Sequence, residues 1–172
     1  GKIKTQVSDQ ARLDEIVKQV RDMVAGNFMH MAYREYGTML YVDMGMFLAD
    51  LPAKYYTRSV FPAEKISGQA MNQKYTVKNY ACHGCPVGCG RLIKGFKKKI
   101  DEVDGPEYET TGAFGPLCWN FDFDSIITAN HMCNAHGIDT ISAGVSIAFA
   151  MHLFEKGALT EKKAGMPLNW GD

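Results

Sequence analysis

Behind Ser8 and Asp9, apolar residues recur at steps of three and four: Leu13, Ile16, Val17, Val20, Met23 and Val24, with Asp14, Lys18 and Arg21 between them. That period belongs to an amphipathic helix. Ser8 and Asp9 carry oxygens that accept from the free amides at a helix start, so a first helix is predicted, ending near Gly26-Asn27. A second, less regular apolar stretch spans Met29 to Tyr36 and stops at Gly37, and Thr38 to Leu51, rich in Met and aromatic residues, predicts a third helix closed by Pro52. From Pro52 to about Tyr80 the periodicity fades; Pro52, Pro62 and Gly68 punctuate it, and the expectation is irregular chain with short helical turns.

Gly95 to Val103 alternates apolar residues with Lys, which predicts a short strand paired with Leu92-Ile93. Asp124 and Ser125 are placed to cap a helix through Ile126, Ile127 and Met132, with Gly137 as its left-handed stop. Asp139 or Thr140 then opens a last long helix through Phe154, ended by Lys156-Gly157. That helix is apolar nearly all round and carries Ala143, Gly144, Ser146, Ala148 and Ala150, the pattern of a central helix with neighbours on every side. The fold class expected is mainly α: one multihelical domain over residues 1–172, interrupted by an irregular Cys-rich loop.

Composition narrows the partners. With 46% hydrophobic and 22% charged residues and Lys+Arg balanced against Asp+Glu, the chain lacks the basic excess of a nucleic-acid binder. No apolar run reaches the roughly 20 residues of a membrane span, and Gly1-Lys2-Ile3-Lys4 does not open a signal peptide. No nucleic acid and no membrane are expected as partners. The start at Gly1 rather than Met reads as an excised piece or the remnant of a tag, and a cytoplasmic location is expected.

The chemistry gathers at the cysteines. Of the five, Cys82, Cys85 and Cys89 fall in the run Cys82-His83-Gly84-Cys85-Pro86-Val87-Gly88-Cys89, while Cys118 and Cys133 stand apart. Thiolates this dense suit zinc or an iron–sulfur cluster better than a disulfide framework. The intervening glycines let the backbone wrap tightly and turn amides toward anionic sulfur. A fourth ligand is required either way, from Cys118 or from a residue outside the chain, so a stand-alone zinc or electron-transfer module remains open from spacing alone.

The order of motifs is what carries a resemblance. Ala81 through Arg91 is followed by Gly105-Pro106-Glu107-Tyr108-Glu109-Thr110, by Cys133-Asn134-Ala135-His136-Gly137-Ile138-Asp139-Thr140-Ile141-Ser142, and by Leu168-Asn169-Trp170-Gly171-Asp172; upstream, Leu51-Pro52 through Ile66-Ser67-Gly68 leads in. This succession resembles the aldehyde:ferredoxin oxidoreductase family, in its middle helical domain. The resemblance implies a fragment of a larger enzyme that holds tungsten (molybdenum in some relatives) in a bis-pterin beside a [4Fe-4S] cluster. Such an enzyme oxidises aldehydes to carboxylic acids and passes electrons to ferredoxin, with the remaining domains of the same enzyme as further partners.

Carried over residue by residue, it implies Cys82, Cys85 and Cys89 as cluster ligands, with the fourth cysteine supplied by another domain. Cys118 and Cys133 become buried packing thiols, and the isolated domain is inactive. Glu107 is implied as the catalytic glutamate near the metal. Asp139 is implied in a pterin-contacting loop. Arg91, so close to the cluster loop, is a candidate donor to cluster sulfide or pterin phosphate, with an ordinary ion pair as the alternative. Taken alone, Glu107 reads as a solvated carboxylate and Asp139 as a helix cap. The bulky run Leu117-Cys118-Trp119-Asn120-Phe121 departs from the family pattern and implies a reshaped substrate cavity.

Overall fold

The computed structural model describes residues 6–97 and 100–172. The reading of Gly1–Lys4, and the Lys98-Lys99 part of the expected strand, lie outside the described residues.

Helix α1 (Gln10–Ala25) starts where the capping residues predict, with Asp9 Oδ1 accepting from Arg12 N at 2.9 Å. Its apolar stripe has no fully buried residue, however; Leu13, Ile16, Val17 and Val20 all stay exposed. Helix α2 (Phe28–Tyr36) follows, capped by Asn27 and stopped at Gly37 (φ 64°). The third helix is shorter than expected. A 3-10 turn, Gly37–Met39, precedes α3 (Leu40–Phe47), and the chain then breaks at Ala49 (φ 58°), where Asp50 and Leu51 amides turn back onto the Gly45 carbonyl.

The stretch expected to be irregular with short helical turns contains a 3-10 turn, Ala63–Lys65, and two regular elements, α4 (Gly68–Lys74) and β1 (Thr76–Tyr80). Strands β2 (Gly90–Lys97) and β3 (Ile100–Asp104) complete an antiparallel sheet in the order β1-β2-β3. The expected strand is split: residues 95–97 continue the strand that holds Leu92-Ile93, and only residues 100–103 lie on its partner, within a three-stranded meander. Ile93 pairs with Val103 and with Val77, and Ile93 and Val103 point into the core.

Helix α5 (Tyr108–Phe114) is the buried centre, with Thr110, Thr111, Gly112, Ala113 and Phe114 all enclosed. Helix α6 (Phe123–His136) is capped by Asp122 rather than by Asp124 or Ser125, and Gly137 (φ 66°) ends it in the expected left-handed conformation. Helix α7 (Thr140–Glu155) has Asp139 as its cap, and a single turn, α8 (Glu161–Ala164), precedes the tail.

Helix α7 is not central. Gly144, Ala148 and Met151 face α5 and the Leu117-Cys118 turn, but Ile141, Ile147 and Phe149 on other faces are 45, 42 and 45% exposed. Its all-round apolarity thus marks a helix with one face covered and another bare. Helices α5 and α7 lie side by side and parallel. Thr110 meets Thr140 near their starts (Oγ1···Oγ1 2.8 Å), and a Cβ on Gly144 would stand only 2.6 Å from the Ala113 Cβ further along.

Candidate functional site: a thiol loop on a hairpin

Two strand pairings place the cysteines. Tyr80 pairs with Gly90 across β1 and β2, so Ala81–Cys89 is the nine-residue loop that closes this hairpin. The Tyr80 ring lies on the bare Gly90 backbone, where a Cβ would come within 2.6 Å of it. Within the loop, the Cys85 amide donates to the Cys82 carbonyl at 3.0 Å, and Gly84 and Gly88 take φ of 74° and 70°. Only glycine enters that region without strain. The Val87 and Gly88 amides act on the Cys85 sulfur and hold its pKa below the ordinary thiol value. Amides aimed at sulfur favour the thiolate, the form that ligates metals.

The second pairing brings a carboxylate to this loop. The start of β2 runs against the end of β3, with Leu92 opposite Asp104 and the Gly105 amide donating to the Arg91 carbonyl at 2.7 Å. Pro106 and Glu107 therefore emerge beside Cys89. Burial first, and then the Glu107 carboxylate, push the Cys89 thiol pKa up, with smaller contributions of the same sign from Cys85 and Cys82. Glu107 stands at the cap position of α5 without capping it; instead its Oε2 accepts a hydrogen bond from the Thr38 hydroxyl. Cys82, Cys85 and Glu107 are solvent-exposed and Cys89 half-buried, so this is an open surface. Among the described residues, no three His, Cys, Asp or Glu side chains are gathered closely enough to enclose an ion by themselves.

Asp139 is exposed at the start of α7, the same end as the start of α5, and its Oδ2 accepts from Ser142 N at 2.7 Å. The Ser142 hydroxyl first, and then that cap bond, lower its pKa. Arg91 is only 4% exposed and its guanidinium is committed to protein groups. Nη1 donates to Asn79 Oδ1 at 2.7 Å, to the Glu35 carbonyl and, at 3.3 Å, to the Arg34 carbonyl, and Nη2 donates to Asn72 Oδ1. Only Nε lacks a partner. Arg91 thus ties β2, next to Cys89, to the C-terminal carbonyls of α2, where a cation also meets the negative end of the helix dipole.

Cys118 is elsewhere. It is 3% exposed, its thiol directed at the Ala113 carbonyl (3.3 Å) and the Gly144 carbonyl (3.5 Å), and burial pushes its pKa up to about 12. It sits past the far end of α5 from Glu107, a helix of about 10 Å at 1.5 Å per residue. A closed four-thiolate site with the loop cysteines has no support in this placement. Cys133 is likewise buried, in the main core. A cavity of about 450 Å³ opens beside Asp50, Tyr56 and Arg58, and none of the candidate residues lines it.

Sequence reasoning missed Thr38, 69 positions from Glu107, and the Asn72 and Asn79 amides that receive Arg91. No local pattern marks them, because each partnership is made by the tertiary fold.

Residues 15–172 match the family model described as aldehyde ferredoxin oxidoreductase, domains 2 and 3. The chain belongs to this family. Among its relatives, the tungsten-containing aldehyde ferredoxin oxidoreductases of Pyrococcus furiosus and Thermococcus kodakarensis are each 39% identical over 162 residues, covering 92% of this chain and 26% of the relative. A more distant one is the aliphatic sulfonate oxidoreductase, WOR-like subunit, of Pyrococcus furiosus, 28% identical over 149 residues, 84% of this chain and 24% of that protein. The chain therefore spans about a quarter of the length of the curated relatives it matches. The thiol loop, Glu107 and Asp139 all lie within the matched segment of this aldehyde ferredoxin oxidoreductase family member. No helix among the described residues is long and apolar enough to cross a membrane.

Proposed function

We propose that this chain is the cluster-carrying helical domain of a tungsten- or molybdenum-pterin oxidoreductase, with Cys82, Cys85 and Cys89 as three ligands of a [4Fe-4S] cluster. The observation that carries the reading is the hairpin loop: three thiols on a glycine-hinged turn, with the Val87 and Gly88 amides acting on the Cys85 sulfur and Glu107 beside Cys89. The donor set fits the group, since thiolates on an amide-lined loop are what an iron–sulfur cluster takes. Cys118 is buried between α5 and α7, so the fourth ligand comes from a part of the polypeptide outside this chain.

When bound, the metal–pterin centre and the cluster supply two-electron oxidation of an aldehyde, with water, to a carboxylic acid and one-electron delivery to ferredoxin. The chain's own residues set the stage. Glu107 holds an open carboxylate beside the loop, where it positions water or takes a proton. Asp139, its rotamer held by the cap bond to Ser142, presents its remaining acceptor capacity to pterin amino groups. Arg91 anchors the loop from below. The bare apolar face of α7, with Ile141, Ile147 and Phe149, is where the rest of the polypeptide packs. One ligand and most pterin contacts lie outside the chain, so the isolated domain is inactive, and the enzyme works in the cytoplasm.

The test is iron, sulfide and zinc analysis of the full-length protein purified anaerobically, beside its Cys85→Ser variant. About four irons and four sulfides per polypeptide, lost in the variant, are expected. Zinc without sulfide, or iron and sulfide unaffected by the substitution, would reject the cluster assignment.

A further inference from the structure

The side chain that hydrogen-bonds Glu107 belongs to a residue that no motif includes. We propose that Thr38 is the positioning residue for Glu107, holding its carboxylate toward the thiol loop through a hydroxyl that caps α5 at the same time. The inference rests on the reading of Glu107 given above and adds the group that makes its geometry reproducible.

Two hydrogen bonds define the role. The Tyr108 amide, the first of α5, donates to Thr38 Oγ1 at 2.9 Å, and Thr38 Oγ1 donates in turn to Glu107 Oε2. An amide N–H can only donate and a carboxylate can only accept, so the single hydroxyl hydrogen is directed at the carboxylate. Glu107 is the cap residue of α5, the position whose side chain ordinarily accepts from the first free amides. The Glu107 side chain accepts from none of those amides and is held by the Thr38 hydroxyl instead. One oxygen is pinned by Thr38 and the other is left for chemistry.

Thr38 is itself held on both sides. Its 3-10 turn is wedged at Gly37, where a Cβ would stand 3.0 Å from both the Cys89 carbonyl and Arg91 Cγ, against the backbone of a proposed cluster ligand. On the other side Met39 is fully buried, and its sulfur accepts from the Thr111 hydroxyl of α5 at 2.9 Å. The Gly37–Met39 turn therefore bridges the thiol loop and α5, and Thr38 is the point at which that bridge touches a carboxylate. Such support from packed neighbours is what keeps a reacting group within a fraction of an ångström of its working position.

The experiment uses the full-length enzyme with Thr38→Val, Thr38→Ser and Glu107→Gln, assayed for aldehyde oxidation with a dye acceptor. Valine keeps the shape of threonine and removes the hydroxyl. The Thr38→Val enzyme is expected to lose about 10- to 100-fold in kcat, the scale of a small misplacement of a reacting group. Its KM should stay within about twofold, the split of an interaction that matters in the transition state. Thr38→Ser should restore most of the rate, and Thr38→Val should cost nothing further on the Glu107→Gln background. A second readout needs no turnover: the infrared carboxylate stretch assigned to Glu107 by its loss in Glu107→Gln should shift in Thr38→Val and not in Thr38→Ser. An unshifted band, or wild-type kcat in Thr38→Val beside a crippled Glu107→Gln, would overturn the proposal. Full activity in Glu107→Gln would instead reject the role given to Glu107, and the band would still decide whether Thr38 orients it.

Discussion

Arg91 is the sharpest place to test how the thiol loop is held. Replacing it with Met keeps much of the stem volume and removes every donor. Left behind without a donor are the Asn72 and Asn79 side-chain oxygens and the Glu35 carbonyl, with the Arg34 carbonyl contributing weakly at 3.3 Å. Charge-assisted bonds of this kind contribute roughly 1.5–3 kcal/mol each. Against them stands the cost of burying a guanidinium that is only 4% exposed, several kcal/mol, and no carboxylate pairs with it among the described residues. Burial accordingly lowers the pKa of Arg91, though a guanidinium remains protonated at any ordinary pH. The net loss expected for Arg91→Met is about 1–3 kcal/mol, the cost of leaving neutral acceptors without their donor. For a chain of this size that is a fall in Tm of roughly 2–12 °C. Arg91→Lys should fail to recover most of it, since one ammonium cannot reach acceptors on α2, α4 and β1 together. Urea denaturation of the 172-residue chain, followed by tryptophan fluorescence, gives the number from the midpoint and slope. A Met variant within about 0.5 kcal/mol of the parent, inside the range of neutral surface changes, would refute the reasoning. It would mean that the desolvation of Arg91 cancels its hydrogen bonds.

Gly144→Val should destabilise the chain by about 1–3 kcal/mol in the same assay, because its Cβ would meet Ala113 backbone atoms at 2.8–2.9 Å and force α5 and α7 apart. A neutral result would mean that the two helices separate freely. Asp124 accepts from Lys74 Nζ at 2.7 Å and from the Tyr75 hydroxyl, and these bonds lower its pKa in the folded state. A depressed carboxylate stabilises the fold above its unfolded pKa of about 3.9, and that stabilisation is lost as pH falls through the lower folded value. The Lys74 and Asp124 side chains are 51% and 40% exposed, so the contribution is below about 1 kcal/mol. It should disappear in Asp124→Asn, whose stability relative to the parent is lower at pH 7 and converges with it in acid. Alkylation at pH 8 should label Cys82 and Cys85 in the metal-free folded chain and spare Cys118, whose pKa of about 12 and burial leave almost no reactive thiolate. Mass-spectrometric mapping checks this, and rapid native labelling of Cys118 would contradict its placement.

The sequence by itself determined what is local. Helix α1 was legible because apolar spacing and an Asp cap are written within a few residues of one another, and the Gly137 and Asp139 signals at the α6–α7 junction were legible for the same reason. The thiol loop was legible from cysteine and glycine spacing alone. Strand β1 was not, since it is an edge strand with only Val77 half-buried, and it exists because Thr76–Tyr80 pair with β2 across the loop. The apolar circumference of α7 was read as burial on all sides, but a pattern of residues cannot say whether the cover lies in the same chain. Tertiary structure alone decided which of the candidate residues stand together. The β2–β3 register sets Glu107 beside Cys89, a turn 69 residues upstream supplies the hydroxyl that donates to it, and α5 carries Cys118 away from the loop. The physical reason is one of range: caps and periodicity act over single turns of chain. Strand pairing and buried hydrogen bonds join residues that the sequence keeps far apart, and only the packed core fixes which of them meet.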